Sequence, residues 1–351
     1  MKRRRIKNIV ASVQARLRQK ARSEGRPYEE LCTYYAIERF LYRLSISPYA
    51  KKLIVKGAIM QLIWVPESPR PTRDIDFLGF VENEIERVET IISEICETVH
   101  VKTKESKDDN NNNDDDGNSG GGDEEEDGEK TDDDDDHHHA GLGDGITYNL
   151  ESIRGERTIE HAEYHGIRVT FTAHLGQQRI PMRVDIGIGD EVTPSPQKAI
   201  LPALLDHPVP VFLGYSMEST VAEKFQAMVR LDELNSRMKD FYDIWLLARK
   251  RNFSGHTLSK AIRVTFKNRN TELAPNPLAL QASFADLPGK ADLWSTFLRK
   301  SFGKDVKTEP RPSDDLKDNI AELRAFLSPV VEALMKGQLF ERKWIAGKGW
   351  K

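Results

Sequence analysis

The amino-acid sequence predicts an α+β fold, in which a core built on a mixed β-sheet is followed by a helical C-terminal half. Short segments in which apolar and polar residues alternate lie between residues 53 and 188, whereas from about residue 217 the apolar residues recur at helical spacing. The chain has 351 residues and 38% hydrophobic content, enough for a substantial buried core. We therefore predict N-terminal helices at 1–50, a core domain at 51–215 and a helical domain at 216–351.

The charge of the chain is unevenly distributed. Residues 104–139 contain 17 acidic residues and three lysines, a formal charge of −14, so that the other residues together carry +10 in a chain of net charge −4. A positive body favours polyanionic partners such as RNA or nucleotides. The low-complexity segment itself is predicted to be a disordered insertion.

The composition also indicates the cellular compartment. The sequence has neither an apolar run of about 18 residues, as a membrane span requires, nor a signal-peptide block, so we expect a cytoplasmic protein without a membrane partner. Cys32 and Cys96 are the two cysteines, and neither has a Cys or His at metal-ligand spacing. We predict that both are reduced and buried.

The elements follow in order from their periodicity. Two amphipathic helices are predicted at 6–20 and 28–44, and the second ends before Pro48. The other predicted elements are a strand at 53–55, a turn at 56–58, a helix at 59–65, a strand at 74–80, a helix at 82–100, strands at 166–173 and 179–188, an irregular Pro-rich connection at 190–210, and helices at 219–231, 239–249, 256–266, 290–300 and 315–335.

Three carboxylates are candidates for metal binding. Asp74 and Asp76 are two residues apart in a predicted strand, so both side chains point to the same face. Asp185 lies in a later strand between apolar neighbours, where a carboxylate needs a partner. Three carboxylates on adjacent strands suit two-metal phosphoryl transfer. An Asp-x-Asp pair alone is also compatible with an exposed strand end.

Two further groups surround these carboxylates in the sequence. The run Lys56-Gly57-Ala58 forms a turn before a helix, which is typical of a phosphate-binding turn but also of a simple connection. Lys224 lies on a predicted helix, and Asp240 and Asp243 share a face of the next one. This second group is compatible with a solvated helix pair or with a functional role, and the apolar neighbours of Asp243 argue against full solvation because an unpaired carboxylate there would be costly.

These residues resemble the AbiEii-type nucleotidyltransferases, the toxins of type IV toxin–antitoxin systems within the DNA polymerase β-like superfamily. The blocks that carry the resemblance are residues 38–45, 53–58, 70–77, 183–190, 222–224, 239–243 and the tail 326–350. The resemblance implies a polymerase β-like core that transfers a nucleoside monophosphate from an NTP to an acceptor. For some members of the family the acceptor is the 3′ end of tRNA. An antitoxin partner is implied as well.

The resemblance also assigns roles to residues. It implies that Asp74, Asp76 and Asp185 hold Mg²⁺, with Mn²⁺ as the alternative. The catalytic set would be completed by Lys224, Asp240 and Asp243, and the nucleotide would be bound by Lys56, Gly57, Ala58, Arg73 and Lys224.

The chain departs from the family pattern in two respects. The superfamily often has Gly-Ser or Gly-Gly where this chain has Gly57-Ala58, so no serine hydroxyl is available to the phosphates. The acidic insertion 104–139 also interrupts the core, and one hypothesis is that it mimics RNA on the basic surface. Two alternative functions are the same chemistry on a small-molecule or protein hydroxyl, and a catalytically silent module that binds RNA or another partner.

Overall fold

A mixed β-sheet forms the centre of the N-terminal part of the protein in the computed structural model, which describes residues 8–67, 72–98, 143–159, 165–189, 191–303 and 310–351. Its strands are β1 Leu53–Lys56, β2 Ile75–Gly79, β3 Ile146–Ile159, β4 His165–Leu175, β5 Gln178–Ile188, β6 Gln197–Ile200 and β7 Val211–Gly214. The spatial order is β3-β4-β5-β2-β1-β7-β6. The β2/β5 and β1/β7 pairs are parallel and the other pairs antiparallel, which confirms the predicted mixed sheet.

The two faces of this sheet have different chemistry. Strand residues on one face, such as Val55, Phe77 and Val184, are completely buried in the N-terminal hydrophobic core. This core is completed by side chains of the helices α1 Ile9–Glu24, α2 Tyr28–Ser45, α3 Ala58–Trp64 and α4 Ile85–Glu97. Because side chains alternate along a strand, the intervening residues project from the other face. We call this second surface the open face of the sheet.

The C-terminal part contains most of the remaining helices. They are α5 Met217–Leu231, α6 Met238–Lys250, α7 Gly255–Asn268, α8 Ser283–Asp286, α9 Lys290–Phe302 and α10 Leu316–Met335. Their apolar stripes meet in a second large core that includes Phe225, Phe241, Trp294 and Phe326. The buried side chains are thus divided mainly between two clusters, one on each side of about residue 216, although the predicted domain boundaries stay a prediction.

The prediction that the chain is helical to its end is wrong. The last residues form β9 Lys343–Ile345 and β10 Gly349–Trp350, which pair with β8 Phe253–Ser254 in a small antiparallel sheet. The indoles of Trp344 and Trp350 face the C-terminal core, and their Nε1 atoms donate to the carbonyl oxygens of Ala248 and Phe326 at 2.6 and 2.9 Å. Aromatic packing therefore stabilises strands that are too short for a periodic signal.

Three strands of the large sheet were also missed. β3 was not predicted, and β6 and β7 fall in or beside the connection predicted to be irregular. β3 is rich in polar residues and lies at the edge of the sheet, so it lacks the apolar alternation of a half-buried strand. Both cysteines are free and buried, as predicted. The predicted insertion 104–139 lies outside the described residues.

No helix among the described residues combines the length and the apolar character that crossing a membrane would require.

Candidate active site

A row of charged residues crosses the open face of the sheet. Lys56 on β1 is paired with Asp76 on β2, Asp76 with Asp185 on β5, and Asp185 with Arg168 on β4. Directly paired residues on neighbouring strands point to the same face and lie about 5 Å apart. The strand pairing therefore brings together two of the predicted metal-binding carboxylates and the predicted phosphate-binding lysine.

The backbone turn after Lys56 fits closely against this row. Gly57 has φ 71° and ψ −145°, which side chains strongly disfavour, and it directly precedes α3. A Cβ added to Gly57 would lie 2.0 Å from the Asp76 Oδ2. Only glycine can therefore occupy this position while the Asp76 carboxylate stays where it is. Ala58, predicted to belong to the turn, is the first residue of α3, one residue before the predicted start of the helix.

Asp76 differs from Asp74 and Asp185 in its contacts with the described residues. It is partly buried, and no cation among the described residues lies within ion-pair distance of it. Burial raises the pKa of Asp76, although the positive charges of Lys56 and Lys239 act in the opposite direction. A partly buried carboxylate with this pKa gains stability from a bound cation.

Asp185, in contrast, is held by two arginines. The Arg168 Nε donates to the Asp185 Oδ1 at 2.8 Å, and the Arg183 Nη2 donates to the Asp185 Oδ2 at 2.9 Å. Burial by itself would raise the pKa of Asp185, but the hydrogen bonds from both arginines outweigh it, so that the pKa is lowered. Arg183 also lies 3.8 Å from an oxygen of Asp74, the residue directly before β2.

The three carboxylates thus differ in their suitability as metal ligands. Among the residues that the structure describes, no group of three or more His, Cys, Asp or Glu side chains is arranged to hold a metal ion. Among the described residues, Asp76 forms no ion pair, and Asp74 forms one long contact, to Arg183. This pair fits a divalent cation, which prefers oxygen ligands. Asp185 fits only if the two guanidinium groups release its oxygens.

Lys56 connects the sheet to α5. Its Nζ lies 3.6 Å from the Glu223 Oε2, and the Glu223 Oε1 accepts a hydrogen bond from the Tyr215 hydroxyl at 2.9 Å and lies 3.0 Å from a nitrogen of Arg269. Burial by itself would raise the pKa of Glu223, but Lys56 and Arg269 lower it overall. Glu223 therefore stays ionised and fixes the side chain of Lys56.

Lys224, the next residue along α5, is bound by both predicted acidic residues of α6. Its Nζ lies 2.7 Å from the Asp240 Oδ1 and 2.7 Å from the Asp243 Oδ2. The other oxygen of Asp240 accepts a hydrogen bond from the Arg237 Nε at 2.7 Å. Both carboxylates are inaccessible to solvent. Asp240 and Asp243 therefore orient Lys224 and Arg237, and they have no exposed surface with which to contact a substrate.

The two groups of residues adjoin each other. The Gln61 Nε2 on α3 donates to the backbone oxygen of Asp243 at 3.5 Å, and the charge of Lys224 acts on the pKa of Asp76. Lys239, at the start of α6, is exposed, takes part in no ion pair among the described residues, and also acts on Asp76. Arg73 is exposed beside Asp74.

Several residues of this site were not predicted to have a role. Arg168, Arg183, Glu223 and Lys239 contact or influence the predicted residues, but their positions in the sequence do not show what they face. Lys239 directly precedes Asp240, so its closeness to the predicted motif was the available signal. Arg70, Pro71 and Asp190 of the motif blocks lie outside the described residues.

A mixed sheet that presents an Asp-x-Asp pair beside a glycine turn, together with a lysine held by a helical domain, places this protein among the nucleotidyltransferases. The chain belongs to the AbiEii family: the family "Nucleotidyl transferase AbiEii toxin, Type IV TA system" matches residues 39–131 and 135–325. It is therefore a nucleotidyltransferase of a toxin–antitoxin family, and the family implies an NTP substrate and an antitoxin partner. The match ends at residue 325, so the tail 326–350, part of the resemblance, lies outside it.

Two solved structures from Helicobacter pylori are similar to this chain. A Helicobacter pylori protein assigned as a nucleotidyltransferase is similar at a TM-score of 0.42 and 10% sequence identity, over 89% of this chain and 98% of that one. JHP933 from Helicobacter pylori is similar at a TM-score of 0.39 and 10% identity, over 89% and 95% of the two chains. No curated protein matches the sequence.

Proposed function

We propose that this enzyme transfers a nucleoside monophosphate from an NTP to an RNA acceptor, the 3′ end of tRNA, in the manner of a toxin. The observation that carries this proposal is the contact between the Gly57 backbone and the Asp76 carboxylate. A turn without a side chain permits a substrate phosphate to approach a metal-binding carboxylate closely. In the reaction the acceptor hydroxyl oxygen bonds to the α-phosphorus, pyrophosphate leaves, and the hydroxyl proton is released.

Asp74 and Asp76 would hold the divalent cation, Mg²⁺ or Mn²⁺. When bound, such a cation neutralises charge on the phosphates and favours ionisation of the attacking hydroxyl. The partly buried Asp76 carboxylate forms no ion pair with the part of the chain that the structure describes, and it can therefore accept this role. Asp185 supports the pair from the neighbouring strand, where Arg168 and Arg183 bind it.

The phosphates of the nucleotide would be bound by basic residues around Asp76. Lys239 is exposed at the start of α6 and can turn towards a ligand without breaking an ion pair of the described residues. The other basic residues around Asp76 are Lys56, Lys224 and Arg73. The ammonium group of Lys224 is fixed by two buried carboxylates, and such preorganisation places its charge without further ordering.

The proposal that RNA is the acceptor is based on the charge of the protein. Outside residues 104–139 the chain carries a formal charge of +10, which suits a polyanion such as tRNA better than a neutral small molecule or a protein hydroxyl. Transfer to one of those hydroxyls is the second candidate, and it predicts pyrophosphate release without labelled RNA. A silent RNA-binding module is the third, and it predicts no turnover.

The experiment is to incubate the protein with Mg²⁺, total tRNA and each α-³²P-labelled NTP in turn. Label should enter RNA with the wild type and not with the Asp74→Asn/Asp76→Asn variant, and the labelled reaction identifies the nucleotide. Label that enters RNA equally with the variant would contradict the proposed site. Pyrophosphate release without labelled RNA would contradict the proposed acceptor, and absence of both would leave only the silent module.

A further inference from the structure

The C-terminal hairpin, defined as residues 341–351, carries two lysines that lie side by side on one face. The backbones of Lys343 and Lys351 exchange both hydrogen bonds, at 3.0 and 2.9 Å, so the two residues are a directly opposed pair of β9 and its partner strand. Their side chains therefore project from the same face, with Cα atoms about 5.5 Å apart. Like charges in this arrangement repel each other.

These lysines have no acidic side-chain partner in the described parts of the chain. Both are exposed, as is Lys348 in the turn between the strands, and none of the three takes part in an ion pair among the described residues. Ser254 lies opposite Lys343 on the other side. The neighbouring Glu341 contacts the His256 ring at 2.9 Å. Residues 336–351 contain four lysines and one arginine against one glutamate, so the surface is strongly basic.

The hairpin is held in a defined position. Its inward residues Trp344 and Trp350 pack on Phe326, and the Asn252 side chain accepts a hydrogen bond from the Ala346 backbone at 2.9 Å. The backbone that carries the exposed lysines is consequently held in place by packing and hydrogen bonding. Binding a ligand on this surface requires ordering of the lysine side chains but not of the backbone.

The hairpin is connected to the active site by α6. Lys239, in the first turn of this helix, lies beside the site, and the Trp344 indole donates to the backbone oxygen of Ala248 near the other end. The 13 residues of the helix span about 20 Å at 1.5 Å per residue. A long polyanion whose end lies at Asp76 can reach this distance, whereas an NTP cannot.

We propose that the C-terminal hairpin is a docking surface for the phosphate backbone of the RNA acceptor, bound chiefly through Lys343 and Lys351. This proposal rests on the proposed function, because it takes RNA as the acceptor. Two opposed lysines that form no ion pair with the described residues create a surface that phosphates neutralise, and each phosphate contact releases condensed cations from the RNA. The hairpin lies outside residues 39–131 and 135–325, the parts of the chain that the family model matches.

The test compares two double variants of the full-length protein. Lys343→Gln/Lys351→Gln removes the opposed pair, while Lys260→Gln/Lys300→Gln removes two exposed helical lysines that also lack ion pairs among the described residues. Binding of fluorescein-labelled total tRNA is followed by anisotropy over a salt series. We expect the hairpin variant to bind roughly tenfold more weakly and to lower the slope of log K against log salt by about 2.

The outcomes separate the two proposals. If the hairpin variant binds tRNA no more weakly than the helical control, the hairpin proposal is overturned, whether or not the wild type labels RNA. A hairpin variant that keeps its tRNA affinity but changes its sedimentation would assign the face to contacts between copies and would also overturn it. If the wild type binds tRNA through the hairpin but transfers no label, the proposed reaction fails while the docking surface stands.

Discussion

The backbone of Gly57 and the carboxylate of Asp76 lie in direct contact across two neighbouring strands, so that a Cβ on Gly57 would meet the Asp76 Oδ2 at 2.0 Å. The chain cannot have both a side chain at position 57 and the present orientation of Asp76. The glycine turn and the Asp-x-Asp pair, separated by 18 residues between Gly57 and Asp76, are therefore one structural unit.

Gly57→Ala should accordingly damage activity more than stability. The methyl group would displace Asp76, and misplacement of a reacting group by about 1 Å costs on the order of 100-fold in rate. The positive φ adds roughly 1–3 kcal/mol of strain. Gly25→Ala is the matched control, since Gly25 has φ 65° but no atom within 4 Å of an added Cβ. Label transfer and thermal unfolding are measured for both, and equal activities would contradict the Gly57–Asp76 unit.

Asp240→Asn should change the pH dependence of stability. The wild-type pKa of Asp240 is lowered to about 2, because Lys224 and Arg237 outweigh the effect of burial. A lowered folded-state pKa contributes stability that is complete above the unfolded value near 4 and is lost as the pH falls towards 2. The contribution at neutral pH is roughly 2 kcal/mol.

The wild type should therefore be more stable than Asp240→Asn at pH 6, and the difference should shrink between pH 4 and pH 3. Chemical unfolding at several pH values measures it. The exposed Asp292→Asn on α9 serves as the surface control, with a small difference at each pH. If the difference in unfolding free energy between the wild type and Asp240→Asn does not vary with pH, the Lys224–Asp240 contact makes no pH-dependent contribution to stability.

How far the site could be predicted depends on the kind of information each residue carries. Alternation of apolar and polar residues sufficed to predict β2 and β5, and Ile75, which lies between Asp74 and Asp76, is fully buried. The pairing of Asp76 with Asp185 could not be read from either strand, since register depends on contacts between segments more than 100 residues apart. The apolar neighbours of Asp243 indicated that its carboxylate needs a partner. They did not indicate that Lys224 is that partner.

The missed elements have a common physical cause. β6 has no fully buried residue, and β9 and β10 span three and two residues, so neither case offers an apolar period to detect. Their positions are determined by tertiary pairing and by the aromatic cluster around Phe326. The roles of Arg168 and Arg183 were missed because they too depend on tertiary pairing. From the sequence alone, an arginine in a strand is usually interpreted as a solvated residue.

Arg183→Gln should increase the affinity for a divalent cation. Arg183 binds Asp185 and lies 3.8 Å from Asp74, so a cation at these carboxylates competes with its guanidinium. Because the arginine is partly exposed, its ion pairs are worth about 1 kcal/mol or less, which corresponds to at most about fivefold in affinity. Mn²⁺ binding without nucleotide is measured by electron paramagnetic resonance.

Lys239→Gln is the matched control for this measurement. It removes the same charge near Asp76 but contacts none of the three carboxylates within ion-pair distance. The gain in Mn²⁺ affinity should be larger for Arg183→Gln, because that substitution also releases carboxylate oxygens. An equal gain in Mn²⁺ affinity in both variants would mean that only long-range charge is involved. A lower Mn²⁺ affinity of Arg183→Gln would mean that the arginine supports the metal-binding arrangement.

Lys239→Ala should weaken nucleotide binding without destabilising the fold. The side chain is exposed and forms no ion pair among the described residues, so its removal leaves no buried charge behind. If Lys239 binds a phosphate equally in the bound substrate and in the transition state, KM for the NTP should rise roughly tenfold while kcat stays nearly constant. Lys260→Ala, an exposed lysine on α7, should leave both constants and the melting temperature unchanged. A KM for Lys239→Ala within twofold of the wild type would exclude Lys239 from the phosphate site, and a fall in kcat alone would make it a residue that acts only in the transition state.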